Sequence, residues 1–218
     1  MEKKLKVGVL ASGNGSNLQA IIDRSERGEL DAEVVCVITN KADAFALERA
    51  RKHGIPAIHI NYRDFAGREA YDAAVVAALQ AHGVELVVLA GFMRIITRVL
   101  LVAFPLAVMN IHPALLPSFP GLDAQQQALD HGVKVTGCTV HFVDEGTDTG
   151  PIIIQAAVPI LPDDTIETLS RRIHVQEHRI YPQAIKLFAE GRLTVVGRRV
   201  IITGLHAREE SSLINPAA

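Results

Sequence analysis

The chain has 218 residues, of which 49% are hydrophobic and 21% are charged, as in ordinary globular proteins. This length suggests one large domain or two small ones, with enough core to fold without disulfides. The composition excludes disordered, collagenous and disulfide-scaffold proteins. The formal net charge is −2, so no basic excess drives binding to a nucleic-acid backbone.

Cysteine usage and the apolar runs bear on the cellular compartment. Cys36 and Cys138 lie far apart in the sequence, and we interpret them as reduced thiols. The apolar run at 7–11 is too short for a signal peptide. No uncharged run reaches the ~20 apolar residues of a membrane span. We therefore expect a cytoplasmic protein that has no membrane or nucleic-acid partner.

The first half of the chain alternates between strand and helix patterns. Helical spacing is found around 18–22, over 43–53 and from Tyr71 through Val75 and Leu79. The apolar, mostly β-branched runs between them are predicted strands, at 5–11, 34–38, 57–60, 86–90 and 106–111. This order predicts an α/β fold with a doubly wound, mostly parallel sheet and helices on both faces.

The pattern changes after about Gly121, where longer strands and a long helix are predicted. Pro182 would kink or split that helix. Residues 207–218 are interpreted as a loosely held tail, which leaves one domain over 1–206. The predicted elements of this part are a helix at 124–131, strands at 136–143 and 152–160, a helix at 165–187 and a hairpin at 193–202.

Residues 12–17 (SGNGSN) form a glycine-rich turn between the first strand and the first helix. Ser16 or Asn17 can cap that helix, whose amides would then face an anion. The alternative is an ordinary capped turn. Because the sequence matches neither a Walker loop nor a full GxGxxG, one phosphate on a small substrate suits it better than a dinucleotide.

Asn110 and His112 lie at the end of a predicted strand, and residues two apart in a strand point the same way. An amide and an imidazole together can stabilise an oxyanion and move a proton. The acidic loop at 144–148 can bring a carboxylate to His112, orient it and keep it protonated. A solvated turn is the alternative interpretation of that loop.

Three further features are weaker signals. Glu177 falls on the apolar stripe of the long helix, so it needs either a structural partner such as Arg171 or His178, or a ligand amine. Residues 91–94 (GFMR) follow a fully apolar strand and can contact a flat, partly anionic ligand. Arg68 is interpreted as a solvent-exposed surface residue, since no motif surrounds it.

Together these motifs resemble the phosphoribosylglycinamide formyltransferases, folate-dependent enzymes of purine synthesis. The resemblance extends from about residue 6 to residue 195. It is carried by residues 12–21 (SGNGSNLQAI), 89–95 (LAGFMRI), 110–121 (NIHPALLPSFPG), 141–151 (HFVDEGTDTGP) and 176–178 (QEH). Residues 121–125 (GLDAQ) depart from the histidine-bearing stretch that many relatives carry there.

The resemblance implies roles for individual residues. His112 is the catalytic acid, aided by Asn110, and Asp148 keeps it protonated. Glu177 lies near the substrate amine. The implied phosphate ligands are Gly15, Ser16 and Asn17. They belong to an N-terminal, phosphate-binding half of the domain that ends near residue 111. The C-terminal half, about 112–206, is implied to be the folate-binding half. The implied folate contacts are Arg68, Met93, Arg94, Ile95, Ile96, Asn110 and Asp144.

The implied reaction is formyl transfer from 10-formyltetrahydrofolate, as co-substrate, to glycinamide ribonucleotide. No metal is implied, and the partners are these small molecules alone, for a monomer or a homodimer. Two other functions stay open from the residues themselves. One is a hydrolase that passes the formyl group to water, and the other is a non-catalytic nucleotide or folate sensor.

Overall fold

The computed structural model describes residues 4–204, and the tail predicted at 207–218 lies outside them. The described strands are Leu5–Ala11 (β1), Ala32–Thr39 (β2), Ala57–His59 (β3), Leu86–Leu89 (β4), Val108–His112 (β5), Val135–Phe142 (β6), Ile152–Pro159 (β7), Leu193–Val196 (β8) and Arg199–Ile202 (β9). The α-helices are Ser16–Glu26 (α1), Phe45–Lys52 (α2), Arg68–Ala81 (α3), Arg98–Ala103 (α4), Ala124–His131 (α5) and Ile166–Ala189 (α6).

All nine strands belong to one sheet, in the order β3-β2-β1-β4-β5-β6-β7-β9-β8. Strands β1 to β5 pair in parallel, whereas β6 is antiparallel to both β5 and β7. The hairpin of β8 and β9 joins the edge at β7. The predicted mostly parallel α/β fold, with longer strands and a long helix in its C-terminal part, is confirmed.

The strand order reverses between β1 and β4. The chain passes from β1 outward to β2 and β3, and then returns to the other side of β1 to form β4. In open α/β sheets the loops beyond the carboxyl ends of strands at such a point line a crevice that binds ligands. Here those loops are 12–15 and 90–97, and the end of β5 lies one strand further along.

The apolar residues form two cores, one on each face of the sheet. On one face α1, α2 and α6 contribute Leu18, Ala46 and Ile173. On the other face α3 contributes the predicted stripe of Tyr71, Val75 and Leu79, and α4 adds Leu100. Because both faces are covered, the central strands are apolar at almost every position, as β4 is.

Three local predictions differ from the structure. Pro182 does not split the long helix, because α6 is continuous over 24 residues and buries Tyr181 and Ala184 on either side of the proline. This packing offsets the backbone hydrogen bond that proline removes. The strand predicted from Leu106 begins only at Val108, since Leu106 has φ 52° and cannot extend. Helix α4 was not predicted.

No helix among residues 4–204 combines the length and the apolar character needed to cross a bilayer.

Candidate active site

The carboxylate of Asp148 contacts both polar residues at the end of β5. Its Oδ2 lies 3.3 Å from Nδ1 of His112, and its Oδ1 accepts a hydrogen bond of 3.4 Å from Nδ2 of Asn110. Asn110 and His112 are two apart on β5 and face the same side, as their spacing predicts. The structure therefore brings together the three residues that the sequence predicts to be catalytic.

Asp148 is held in a loop conformation with φ 54°, in which the N–H of Gly121 donates to Oδ2 at 2.8 Å. Burial alone would raise the pKa of Asp148. The nearby His141 ring, the hydrogen bond from the Gly121 N–H and the charge of His112 outweigh burial and lower that pKa below its usual range. Asp148 is therefore an ionised carboxylate at neutral pH.

His112 is buried, and each of its ring nitrogens faces an oxygen acceptor. Nε2 lies 2.8 Å from the carbonyl oxygen of Phe119, opposite the Asp148 contact at Nδ1. A ring nitrogen that carries a proton can donate to the acceptor it faces. The carbonyl of Phe119 and the N–H of Gly121 are main-chain groups, so no side-chain pattern in the sequence could have revealed them.

His141 is a further member of this cluster that the motif analysis did not single out. It lies directly opposite Asn110 in the antiparallel pairing of β5 with β6. Its Nε2 is 3.3 Å from Asn110 Nδ2 and 3.7 Å from Asp148 Oδ1, while Nδ1 lies 2.8 Å from the Phe142 carbonyl. His141 lies close to the acidic loop in sequence, but its contact with Asn110 follows from the register between β5 and β6.

The glycine-rich turn leads into α1 through Gly15, the N-cap residue, at φ 74°. The expectation that Ser16 or Asn17 caps this helix is wrong, since both lie inside the first turn and no side chain caps it. The first bond of the helix runs from Gln19 N–H to the Gly15 carbonyl. The N–H groups of residues 16–18 therefore have no partner within the helix and can face an anion.

Ser12 connects the two loops at the switch point. Its N–H donates to the carbonyl of Gly91 at 3.0 Å, and its Oγ accepts from the N–H of Met93 at 2.9 Å. The same hydroxyl donates to Oδ1 of Asn40 at 2.6 Å. Ser12 thereby fixes the glycine-rich turn relative to the loop that carries Met93, a role the motif analysis missed.

Glu177 is buried and has two hydrogen-bond partners, neither of them the expected Arg171 or His178. Oε2 accepts from Nδ2 of Asn17 at 2.9 Å and contacts Nδ1 of His174 at 2.8 Å. The hydrogen bond to Glu177 raises the pKa of His174 above its usual value, against the effect of burial. The partners differ because the stripe turns Glu177 inward, toward α1.

The loop after β4 exposes apolar side chains beside one arginine. Met93 and Ile95 are 62% and 61% exposed, whereas Ile96 packs against the second core. The Arg94 guanidinium lies 4.2 Å from the ring centre of Tyr62 and 4.9 Å from that of Tyr71. Such stacking on two aromatic rings holds a guanidinium in place.

Asp144 and Arg68 were also predicted to contact the folate. Oδ1 of Asp144 accepts from Thr149 Oγ1 at 2.6 Å and from the N–H of Gly146 at 3.1 Å, which closes the acidic loop on itself. Arg68 begins α3 and is exposed, and its guanidinium contacts no acceptor among residues 4–204. The structure thus does not bring Arg68 into contact with Asp144 or Asn110.

Comparisons with known proteins identify the family of this chain. A family model described as "Formyl transferase" matches residues 5–185. Phosphoribosylglycinamide formyltransferase of Bacillus subtilis is 47% identical over 181 residues, covering 83% of this chain and 93% of its own. The trifunctional purine biosynthetic protein adenosine-3 of Drosophila melanogaster is 50% identical over 192 residues, which are 87% of this chain. The chain spans only 14% of that longer relative.

A solved structure is similar over almost the whole chain. The crystal structure of glycinamide ribonucleotide transformylase 1 from Symbiobacterium toebii has a TM-score of 0.91 and 57% identity, covering 93% of this chain and 95% of that one. The resemblance inferred from the motifs is confirmed. On this evidence the chain belongs to the formyl transferase family.

Proposed function

We propose that this protein is a phosphoribosylglycinamide formyltransferase, which transfers the formyl group of 10-formyltetrahydrofolate to the amine of glycinamide ribonucleotide in purine synthesis. The family match and the bacterial relatives that align over nearly their whole length support this reaction. The structural observation that carries it is the contact of one carboxylate, Asp148, with both His112 and Asn110.

Glycinamide ribonucleotide offers a phosphate at one end and an amine at the other. We assign the phosphate to the turn of Gly15, Ser16 and Asn17, where α1 presents its unpaired N–H groups and its positive dipole end. Glu177 would bind near the glycyl amine. The hydrogen bond between Asn17 and Glu177 supports this pairing, because it joins the two groups that would hold the two ends.

We assign the formyl folate to the other side of the crevice. In the segment Met93, Arg94, Ile95 and Ile96, the exposed side chains of Met93 and Ile95 offer apolar contact to a flat ring. We assign Asn110 to the same ligand. Asp144 would close the acidic loop over the pteridine, and Arg68 offers a cation to the carboxylates of the folate tail. In this scheme the phosphate contacts come from the half that ends near residue 111, both halves contribute folate contacts, and the two halves form one domain.

The proposed mechanism is direct attack by the amine. The neutral amine attacks the formyl carbon, a C–N bond forms, and the carbonyl electron pair moves to oxygen. The positive charge of the His112 imidazolium and the amide of Asn110 stabilise this oxyanion, and Asp148 stabilises the imidazolium. The bond to the folate nitrogen then breaks, and the amine proton passes to that nitrogen, directly or through water. The scheme uses no covalent enzyme intermediate and no metal.

The rival reaction on the same site is transfer of the formyl group to water. A hydrolase has no need of a phosphate-binding turn, so residues 15–17 favour the transferase. We further propose a cytoplasmic monomer or homodimer whose partners are these two small molecules, without nucleic acid or membrane.

One assay separates the three functions. Purified protein is incubated with 10-formyltetrahydrofolate, with and without glycinamide ribonucleotide, and tetrahydrofolate release is followed by absorbance. We expect release only when the ribonucleotide is present, with equal amounts of formylated ribonucleotide formed. Release without the ribonucleotide would indicate a hydrolase, and binding of both ligands without release would indicate a sensor.

A further inference from the structure

We propose that Arg49 is a positioning residue for the substrate phosphate, acting by holding the glycine-rich turn in its anion-binding conformation. Arg49 lies on α2, outside every motif described above. The inference rests on the proposed function, since it assigns Arg49 to the phosphate end of the same substrate site.

Three hydrogen bonds join the Arg49 guanidinium to both sides of Gly15. Nε donates to the carbonyl of Asn14 at 2.8 Å, and Nη2 donates to Oδ1 of Asn14 at 3.0 Å. Nη1 donates to Oε1 of Gln19 at 3.1 Å, inside α1. One planar side chain therefore links the residue before the turn to the helix after it.

Gln19 is itself held in place, so the third bond has a fixed partner. Its amide nitrogen donates to Oδ1 of Asp23 at 2.7 Å and lies 3.0 Å from Nε2 of His53. Nδ1 of His53 lies 2.6 Å from Oε1 of Glu26. This network ties α1 to the end of α2 on the side away from the sheet.

The packing leaves the turn little freedom to move relative to α2. A Cβ at Gly15 would lie 2.9 Å from Cβ of Ala46 and 3.5 Å from Cδ of Arg49, so α2 packs directly against the turn. The N–H of Ala46 donates to the carbonyl of Gly13 at 3.1 Å. The Arg49 guanidinium also lies 4.9 Å from the ring centre of Phe45, which restricts its own position.

These contacts have two consequences for an anion at the turn. First, the two oxygens of Asn14 are occupied by a cation, so they are held away from the phosphate that they would otherwise repel. Second, one positive charge is fixed next to the N–H groups of residues 16–18. Lysine carries the same charge but cannot donate three bonds in one plane, so it would supply the second effect without the first.

The test compares R49Q and R49K with R51Q. Arg51 lies on the same helix, is 56% exposed and pairs with Glu48, so R51Q removes the same charge from a site that faces solvent. For each protein we would measure kcat and both KM values, together with inhibition by inorganic phosphate and the rise in Tm that inorganic phosphate produces.

For R49Q we expect KM for glycinamide ribonucleotide and the phosphate inhibition constant to rise about tenfold or more. The kcat and the KM for formyl folate should stay within about twofold of the native values. The lost contact binds the phosphate equally in the ground state and the transition state, so the chemical step is unaffected. R49K should recover only part of the loss, and R51Q should behave as the native protein.

Several kinetic results would overturn the inference. They are an unchanged KM for the ribonucleotide in R49Q, an equal rise in R51Q, or a parallel rise in KM for formyl folate, which would indicate general loss of structure. Full recovery in R49K would leave only the charge and contradict the positioning role. If the native protein transfers no formyl group, the proposed function fails, whereas the phosphate-dependent rise in Tm still tests Arg49.

Discussion

Nδ2 of Asn17 donates a hydrogen bond of 2.9 Å to Oε2 of Glu177, which lies 160 positions later in the chain. His174 contacts the same oxygen at 2.8 Å, so the buried carboxylate has its partners on two different helices. This link fixes the distance between the turn assigned to the phosphate and the carboxylate assigned to the amine.

Changing Asn17 should therefore affect the ribonucleotide more than the folate. In Asn17→Ala, Glu177 keeps only His174, and we expect KM for glycinamide ribonucleotide to rise about tenfold. Asn17→Asp places a second carboxylate against Glu177 and should also lower the free energy of unfolding by about 1–3 kcal/mol. Steady-state kinetics and urea denaturation measure the two effects. Native KM values in both variants would contradict the assignment.

His112 is expected to act on turnover alone. In His112→Ala the oxyanion loses a nearby positive charge, and kcat should fall by about 10²–10³. The KM for the ribonucleotide should change little, since the phosphate turn is untouched. His59→Ala is the control, because His59 is exposed on β3, away from the site. Equal turnover in native protein and His112→Ala would remove His112 from the mechanism.

Asp148 should make stability depend on pH. Its pKa is lower in the folded protein than the ordinary value of 3.8. The unfolded chain therefore binds its proton first as pH falls, and the stabilisation from the ionised carboxylate is present above about pH 4. It is lost as the pH falls from there through the lower pKa of the folded state.

The comparison with Asp148→Asn measures this contribution directly. We expect the variant to be less stable than the native protein at neutral pH, by a difference that is constant down to about pH 4 and shrinks below it. Urea denaturation between about pH 3 and pH 7 gives both curves. A difference independent of pH would mean that the ionised carboxylate does not stabilise the fold.

Ser12 is predicted to control folate binding through the loop after β4. Ser12→Ala leaves the N–H of Met93 and Oδ1 of Asn40 without their partner, so unfolding should become easier by about 1–3 kcal/mol. Because Met93 begins the segment assigned to folate, we expect KM for formyl folate to rise while kcat stays close to native. If only stability changes, the loop is not part of the folate site.

The two cysteines should be inert in the folded protein. Burial raises the pKa of Cys36 to about 11 and that of Cys138 to about 12, so neither is a thiolate at neutral pH. A thiol reagent such as Ellman's should therefore react with both only after denaturation. Cys138→Ala should keep native kcat, and a large loss of turnover without loss of stability would contradict a packing role.

The sequence predicted the elements best where an element buries its own apolar pattern. Strand β1 and helix α5 have the predicted bounds, and the Tyr71 stripe of α3 is buried as its spacing requires. The errors lie where contacts with a distant part of the chain determine the local structure. Pro182 stays inside a continuous helix because the sheet beneath α6 holds it, and the short helix α4 packs against α3 without a periodic signal of its own.

The candidate site divides in the same way. Local spacing was enough to predict that Asn110 and His112 share one side of a strand and that a turn with an open helix end follows β1. The contact of Asp148 with His112 was expected, but the other partners of these groups were not predicted. His141 reaches Asn110 only through the antiparallel register of β6, and Glu177 meets Asn17 and His174 rather than Arg171 or His178.

By itself the sequence determined the fold class, the positions of most elements and the family, because hydrophobic periodicity and short motifs are local properties of the chain. Only the tertiary structure decided several long-range contacts: His141 with Asn110, Asn17 with Glu177, and Arg49 with the turn at Gly15. Contacts between such distant residues depend on strand order and on how helices pack across a sheet, and neither is encoded in the spacing of neighbouring residues.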